Sequence, residues 1–408
     1  MASEHIPIQE QLAEKWHIDD ASWSKVRNMI MGVMLVGWVG CAAGYFLTPA
    51  EVFFPSYLLG FLYATLICLG ALFFTQVMYL TGSAWSVTVR RFAEHLVAAL
   101  PYCAVLFVPV LFGIHDLYEW SHADKLDEIL SKKASYLNQN FFILRAFLYF
   151  AIWSFLAWKI TGESAKQDHD RSIEHMNTAS RFSAPGLMIT FLTVSLAAFD
   201  WIMSLSPHWY STIFGIYVFV GGAWTFMATM ILICLNFRKN GWLVKTINVE
   251  HYHDLGKWQF ALTNFWAYIG FSQYMLIWYA NLPEETEWFK ARWDGSWAYL
   301  SYLLIFGHFL LPLLILLPRA SKRNLSLLGF MACWVYFIEF VDLYWLIFPN
   351  FDHAHGASAG FHLHPMNLFG WLAPVSTVAF VFWNRLKKHA LLPIGDLRLE
   401  QGLTHQNL

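Results

Sequence analysis

The chain has 408 residues, of which 57% are hydrophobic, 18% aromatic and only 13% charged. A soluble domain carries about 25% charged residues, so half that load, alongside 21 Trp and 36 Phe, describes a chain whose surface mostly faces lipid. The net charge of −2 gives no sign of a nucleic-acid partner, and the five cysteines (Cys41, Cys68, Cys103, Cys234, Cys333) sit in apolar stretches without CxxC or CxxCH, which argues against an iron–sulfur cluster or covalent haem on this chain.

Residues 1–23 are polar and lack the apolar core of a cleaved leader, so the first apolar segment is expected to act as a signal anchor. A hydrocarbon core about 30 Å thick takes about 20 apolar residues per helix. Spans of that kind are expected at 24–47, 55–81, 88–114, 139–160, 183–205, 211–236, 258–281, 297–318, 325–348 and 366–386, followed by a tail at 387–408. The expected fold is therefore an all-α integral membrane protein of about ten helices, its transmembrane domain covering 24–386. Pro101, Pro109 and Pro312 interrupt the third and eighth spans and free backbone carbonyls that need a donor.

Orientation follows from the Lys and Arg of the loops. About 20 collect on the side of the two termini, against Lys125, Lys132, Lys133, Lys290 and Arg292 on the other. Both ends are thus expected in the cytoplasm. Trp120, Trp201, Trp209, Trp293 and Trp345 are expected near the outer boundary. Asp200 precedes Pro207 by the same spacing that separates Asp342 from Pro349, on two outward-running helices. That hints at two parallel four-helix bundles, about 55–205 and 211–348, with one flanking helix at either end.

Ionisable side chains in hydrocarbon cost roughly 2.5–3.5 kcal/mol each on insertion scales. Glu94, His95, Arg145, Asp200, His308, Glu339 and Asp342 are therefore the candidate site, read as a proton path with Arg145 tuning a carboxylate. Glu339 and Asp342 share one helix face. Simpler structural roles stand beside this reading: Glu94 is spaced for an ion pair with Arg90, and Arg145 for neutralising Asp200 or Asp342. Only His95 and His308 lie within spans, too few for a two-haem cytochrome b. The outer loop 351–365 carries His353, His355, His362 and His364, weak candidates for a metal. No GxxxxGK[ST] or GxGxxG occurs, which argues against nucleotide-driven transport by this chain.

Three long segments, RRFAEHLVAALPYCAVLFVPVLFGIHDLYEWSH (90–122), FDWIMSLSPHWYSTIFGIYVF (199–219) and FWAYIGFSQYMLIWYANLPEETEWF (265–289), resemble the F-type membrane subunit of bacterial alternative complex III. This subunit is also called quinol:cytochrome c oxidoreductase quinone-binding subunit 2. The resemblance extends over nearly the whole chain. It implies a relative of polysulfide-reductase-type membrane anchors in the bacterial inner membrane. It also implies a quinol-oxidising complex whose iron–sulfur clusters and c-type haems lie on partner subunits, with a sister membrane subunit nearer the quinol. This chain would then hold no redox centre and would serve proton translocation and assembly, with quinol itself a candidate ligand. Two other readings of the residues are a stand-alone secondary transporter and a purely structural membrane anchor.

Overall fold

The computed structural model describes residues 10–11, 14, 16–122, 127–355 and 360–407, with the side chains of 352–355 outside the description. Among the described residues there is helix and no strand. Long helices form at all ten expected positions. They are α1 Asp20–Leu47, α2 Ala50–Leu80, α3 Val87–Phe112, α4 Gln139–Asp170, α5 Ile173–Trp201, α6 Phe214–Lys239, α7 Val249–Ala280, α8 Trp297–Leu316, α9 Leu325–Ile347 and α10 Pro365–Leu386. Nine of them are long and apolar enough to cross a membrane. The exception is α7, 32 residues long, whose first turns carry Glu250, His251, His253 and Asp254 and whose middle carries Gln259, Asn264 and Gln273.

Local chemistry sets the ends. Asn138 caps α4 by accepting from the Phe141 amide, and Asn324 caps α9 through Ser326 and Leu327. At the far end of α4, Arg171 takes a left-handed conformation (φ 55°), and the chain turns directly into α5. Both helices extend past the expected spans, because residues 161–170 and 173–182 continue helical beyond the apolar segments, held by Glu163 with Lys159, Lys166 and His175.

The prolines act as expected. α3 is broken into short helical pieces at Ala98–Ala99 and Phe107, with a further short turn after Gly113, and the carbonyl of Leu106 is taken up by the hydroxyl of Tyr57 at 2.8 Å. Ahead of Pro312, α8 widens into a π-helical segment over Leu304–Leu310, where the indole of Trp334 donates to Gly307 O at 2.7 Å. That segment carries His308.

Neighbours fall into two groups. In one, α2 packs on α3 and α5, and α4 on α3 and α5; in the other, α6 packs on α7 and α9, and α8 on α7 and α9. The groups meet where α2 crosses α6, and α10 lies between α1 and α2. Small residues allow the close crossings. A Cβ on Gly60 of α2 would stand 2.0 Å from Gly370 O of α10, and one on Gly70 would stand 2.7 Å from Gly222 O of α6.

Both terminal segments lie on one face. The Leu391 amide donates to Trp16 O at 2.8 Å, and Glu14 accepts from the amides of Val244 and Thr246. The tail is folded against the bundle, with Leu391, Leu392 and Leu403 buried. At the opposite face Trp120, Trp201, Trp209 and Trp345 are buried inside the bundle end and do not form a lipid-facing belt, since Trp120 packs on Tyr118, Trp201 on Phe150, and Trp209 and Trp345 on Trp288 of the short helix Pro283–Trp293.

Candidate functional site

The sequence candidates separate into three clusters. Glu94 lies near the terminal face, within a dense ion-pair network. Arg90 Nε reaches Glu94 Oε1 at 3.0 Å, while the other arm of the same guanidinium binds Asp396 of the tail at 2.7 Å. Arg91 sits 3.4 Å from Glu94 and 2.5 Å from Asp168. Tyr79 and Ser164 hydroxyls also donate to Glu94, at 3.2 and 2.7 Å. Burial pushes the Asp396 carboxyl up, but Arg90 and Arg398 more than reverse this and hold it at about 2. His95 points elsewhere, with its ring 5.7 Å from that of His389.

The second cluster belongs to the α2–α5 group. Arg145 of α4 forms a two-pronged pair with Asp200 of α5, Nε and Nη2 to Oδ2 and Oδ1 at 2.8 and 2.9 Å. Tyr149 donates to Asp200 at 2.8 Å, and the third arm of Arg145 donates to Tyr136 O while its guanidinium lies over the Tyr136 ring. The carboxylate is fully enclosed and carries a fixed positive partner.

A different chemistry occupies the third cluster, in the α6–α9 group. Ligand atoms of His308, Glu339 and Asp342, all buried, lie within 4.8 Å of one another. His308 Nε2 is 3.3 Å from Glu339 Oε2. Its ring is stacked between Trp224 of α6 and Trp266 of α7, at centroid distances of 4.1 and 3.6 Å. Those indoles fix the ring plane, and Trp224 is itself held by donation to Gln259 O and Thr263 Oγ1. Tyr217 donates to Asp342 Oδ1 at 2.5 Å. Gly221 makes room for the acid, because a Cβ there would stand 2.6 Å from Glu339 Oε1. Among the described residues no Lys or Arg pairs with Glu339 or Asp342.

A lateral cavity of about 680 Å³ opens beside this cluster, between α6, α7, α8, α9 and the short helix Pro283–Trp293. Tyr217 and Trp266 stand in its wall, so the residues that touch Asp342 and His308 also face the cavity. The lining is aromatic, with Asn264, Gln273 and Ser301 as polar points, and the buried Oε1 of Gln273 has no hydrogen-bond partner among the described residues.

His95 and His308 fall in separate clusters, His95 beside His389 and His308 beside Glu339. In the outer loop, His364 caps α10 by accepting from the Met366 amide at 3.1 Å, which engages its Nδ1 in helix capping. His362 Nδ1 contacts Gly360 O. The side chains of His353 and His355 lie outside the described residues.

Fold and clusters together define a polytopic α-helical membrane protein with ionisable groups enclosed in its helix bundle. No family model and no curated protein matches the chain. Sequence reasoning missed Tyr217, Trp224, Trp266 and Gly221, which are ordinary apolar or aromatic span residues until the helices are assembled. Arg292 was also missed as a structural element. It is buried with its guanidinium donating to Trp345 O, Leu346 O and Asn350 Oδ1 at the end of α9.

Proposed function

We propose that this chain is the proton-handling membrane subunit of a quinol-oxidising respiratory complex, with His308, Glu339 and Asp342 as its central protonatable group. The carrying observation is that this buried cluster has two carboxyl groups and, among the described residues, no fixed cation. A compensating charge there must be mobile, and the proton is the one that carboxylate, imidazole and phenol groups exchange among themselves. Tyr217 links Asp342 to the cavity wall, which supplies a route outward from the cluster.

The likeness of segments 90–122, 199–219 and 265–289 to the alternative complex III subunit supports the respiratory setting. On that reading the chain resides in the bacterial inner membrane with both termini cytoplasmic. Its partners are a sister membrane subunit, an iron–sulfur protein and c-type cytochromes, which hold the redox centres. The aromatic cavity, with an unpartnered acceptor on Gln273, favours quinol as a ligand of this chain too, since a ring hydroxyl would satisfy it.

The test is the proton-to-electron ratio of the complex in vesicles. Glu339→Gln and Asp342→Asn lower the ratio while quinol oxidation continues. Unchanged ratios with normal assembly would leave the chain a structural anchor. A second reading, stand-alone transport, is favoured by the π segment that interrupts α8 at His308, as transporter sites often occur at broken helices. Proton-coupled uptake by the isolated chain in liposomes would support it.

A further inference from the structure

A second feature lies where α3 and α10 meet near the terminal face. Arg91 and His95 come from α3, Arg385 from the last turn of α10, and Lys388 and His389 from the residues just after it. Burial, then the positive charges of Arg91 and Arg385, pull His389 below the ordinary histidine range, with Lys388 adding to the repulsion and Glu94 opposing it. Three enclosed nitrogens in this group have no hydrogen-bond partner among the described residues: the donors Arg91 Nε and Arg385 Nε, and His95 Nε2. Arg91 spends its two Nη groups on Glu94 and Asp168. Among the described residues neither Arg385 nor Lys388 pairs with a carboxylate, although the neighbouring Lys387 pairs with Asp20. Orphaned buried donors are rare in folded proteins and costly to leave unpaired, so this positively charged nest has the chemistry of an anion site.

Beside it runs an apolar cavity of about 450 Å³ between α1, α2, α6 and α10. Phe382 and Leu96 tie the two features together. Both line the cavity, Phe382 packs edge-on against the His95 ring at 6.5 Å, and Leu96 follows His95 in α3. The cavity wall also takes in Val26, Ile30, Ile233 and Val378, with few polar atoms. An anion nest adjoining an acyl-sized apolar cavity on one face of a helix bundle matches a single amphiphile.

We propose that Arg91, His95, Arg385 and Lys388 hold the phosphate of an anionic phospholipid, with an acyl chain in the cavity lined by Phe382. Basic pockets between transmembrane helices recognise such headgroups. The site is independent of the proton cluster and does not depend on that reading.

The test is native mass spectrometry of the full chain released from detergent supplemented with phosphatidylglycerol or phosphatidylcholine. Wild type retains one phosphatidylglycerol and not phosphatidylcholine. The double variant Arg385→Ala, Lys388→Ala weakens retention about 30-fold, two surface-proximal charges at about 1 kcal/mol each. Lys239→Ala, which removes a charge from the end of α6, leaves it unchanged. A thermal-shift series supplies the second readout: phosphatidylglycerol raises the melting temperature of wild type more than that of the double variant. Inorganic phosphate alone gives no shift if the acyl chain is part of recognition, and an equal shift with phosphate would replace the lipid with a free anion. Equal retention of both lipids, or retention unaffected by the double variant, would overturn the site.

Discussion

The two helix groups bury an aspartate in comparable ways and then treat it oppositely. Asp200, on α5, receives Tyr149 and a two-pronged Arg145; Asp342, on α9, receives Tyr217 and faces His308 and Glu339. One helical turn before Asp200 the chain has Ala197, and one turn before Asp342 it has Glu339. The first aspartate thus carries a permanent counter-charge, and the second has an additional acid and an imidazole in its place. An ion pair with excellent geometry locks helices together and has little reason to exchange a proton. A cluster without a fixed cation has every group needed for exchange. The comparison teaches that identical burial of one residue type is not itself a functional signal; the identity of the compensating charge is.

The largest expected effect breaks the first aspartate. Arg145→Met leaves Asp200 enclosed without its partner and destabilises the protein by about 3–5 kcal/mol, measured by thermal or denaturant unfolding in detergent. Adding Asp200→Leu returns stability close to wild type, because no uncompensated charge is left. Asp342→Asn has no such stability cost, since no cation is stranded.

At the terminal face the same contrast is sharpened by pH. The folded value of Asp396, about 2, lies below its ordinary 3.8. A depressed carboxylate contributes stability that is fully present above 3.8 and is lost as pH falls through about 2. Asp396→Asn therefore costs about 2 kcal/mol near neutrality, and the difference from wild type shrinks across that acid window in paired unfolding curves. A gap of constant size down to pH 2 would show that Arg90 does not set the titration.

Gly221→Ala is the smallest perturbation. Its new Cβ meets the end of the Glu339 side chain, which can turn aside, so the stability cost is about 1 kcal/mol. Displacing the carboxyl from His308 nonetheless lowers the proton-to-electron ratio. An unchanged ratio, with Glu339 shown to have moved, would separate Glu339 from the proton route.

Much of this was legible in the chain. Apolar length located the helices, and three prolines located the irregular parts of α3 and α8. The i, i+4 spacing of Arg90 and Glu94 and the presence of Arg145 flagged two ion pairs. What stayed hidden was partnership across helices. Nothing local shows that Arg145 chooses Asp200, or that Trp224 and Trp266 close on His308 from two other helices. α7 fell below the apolarity of the others because its polar residues face inward or cap the tail, as Gln259 and His251 do. Residues 387–408 were expected only as a tail on the cytoplasmic side, yet the apolar residues Leu391, Leu392, Leu399 and Leu403 were a signal that it packs.

Difference infrared spectroscopy in the carboxylic C=O region, recorded in H₂O and D₂O, tests the contrast most directly. The account predicts a protonated-carboxyl band that shifts in D₂O, is lost or altered in Glu339→Gln and Asp342→Asn, and survives in the Arg145→Met, Asp200→Leu double variant. A band that disappears with the Arg145–Asp200 pair and is indifferent to Glu339 and Asp342 would contradict it.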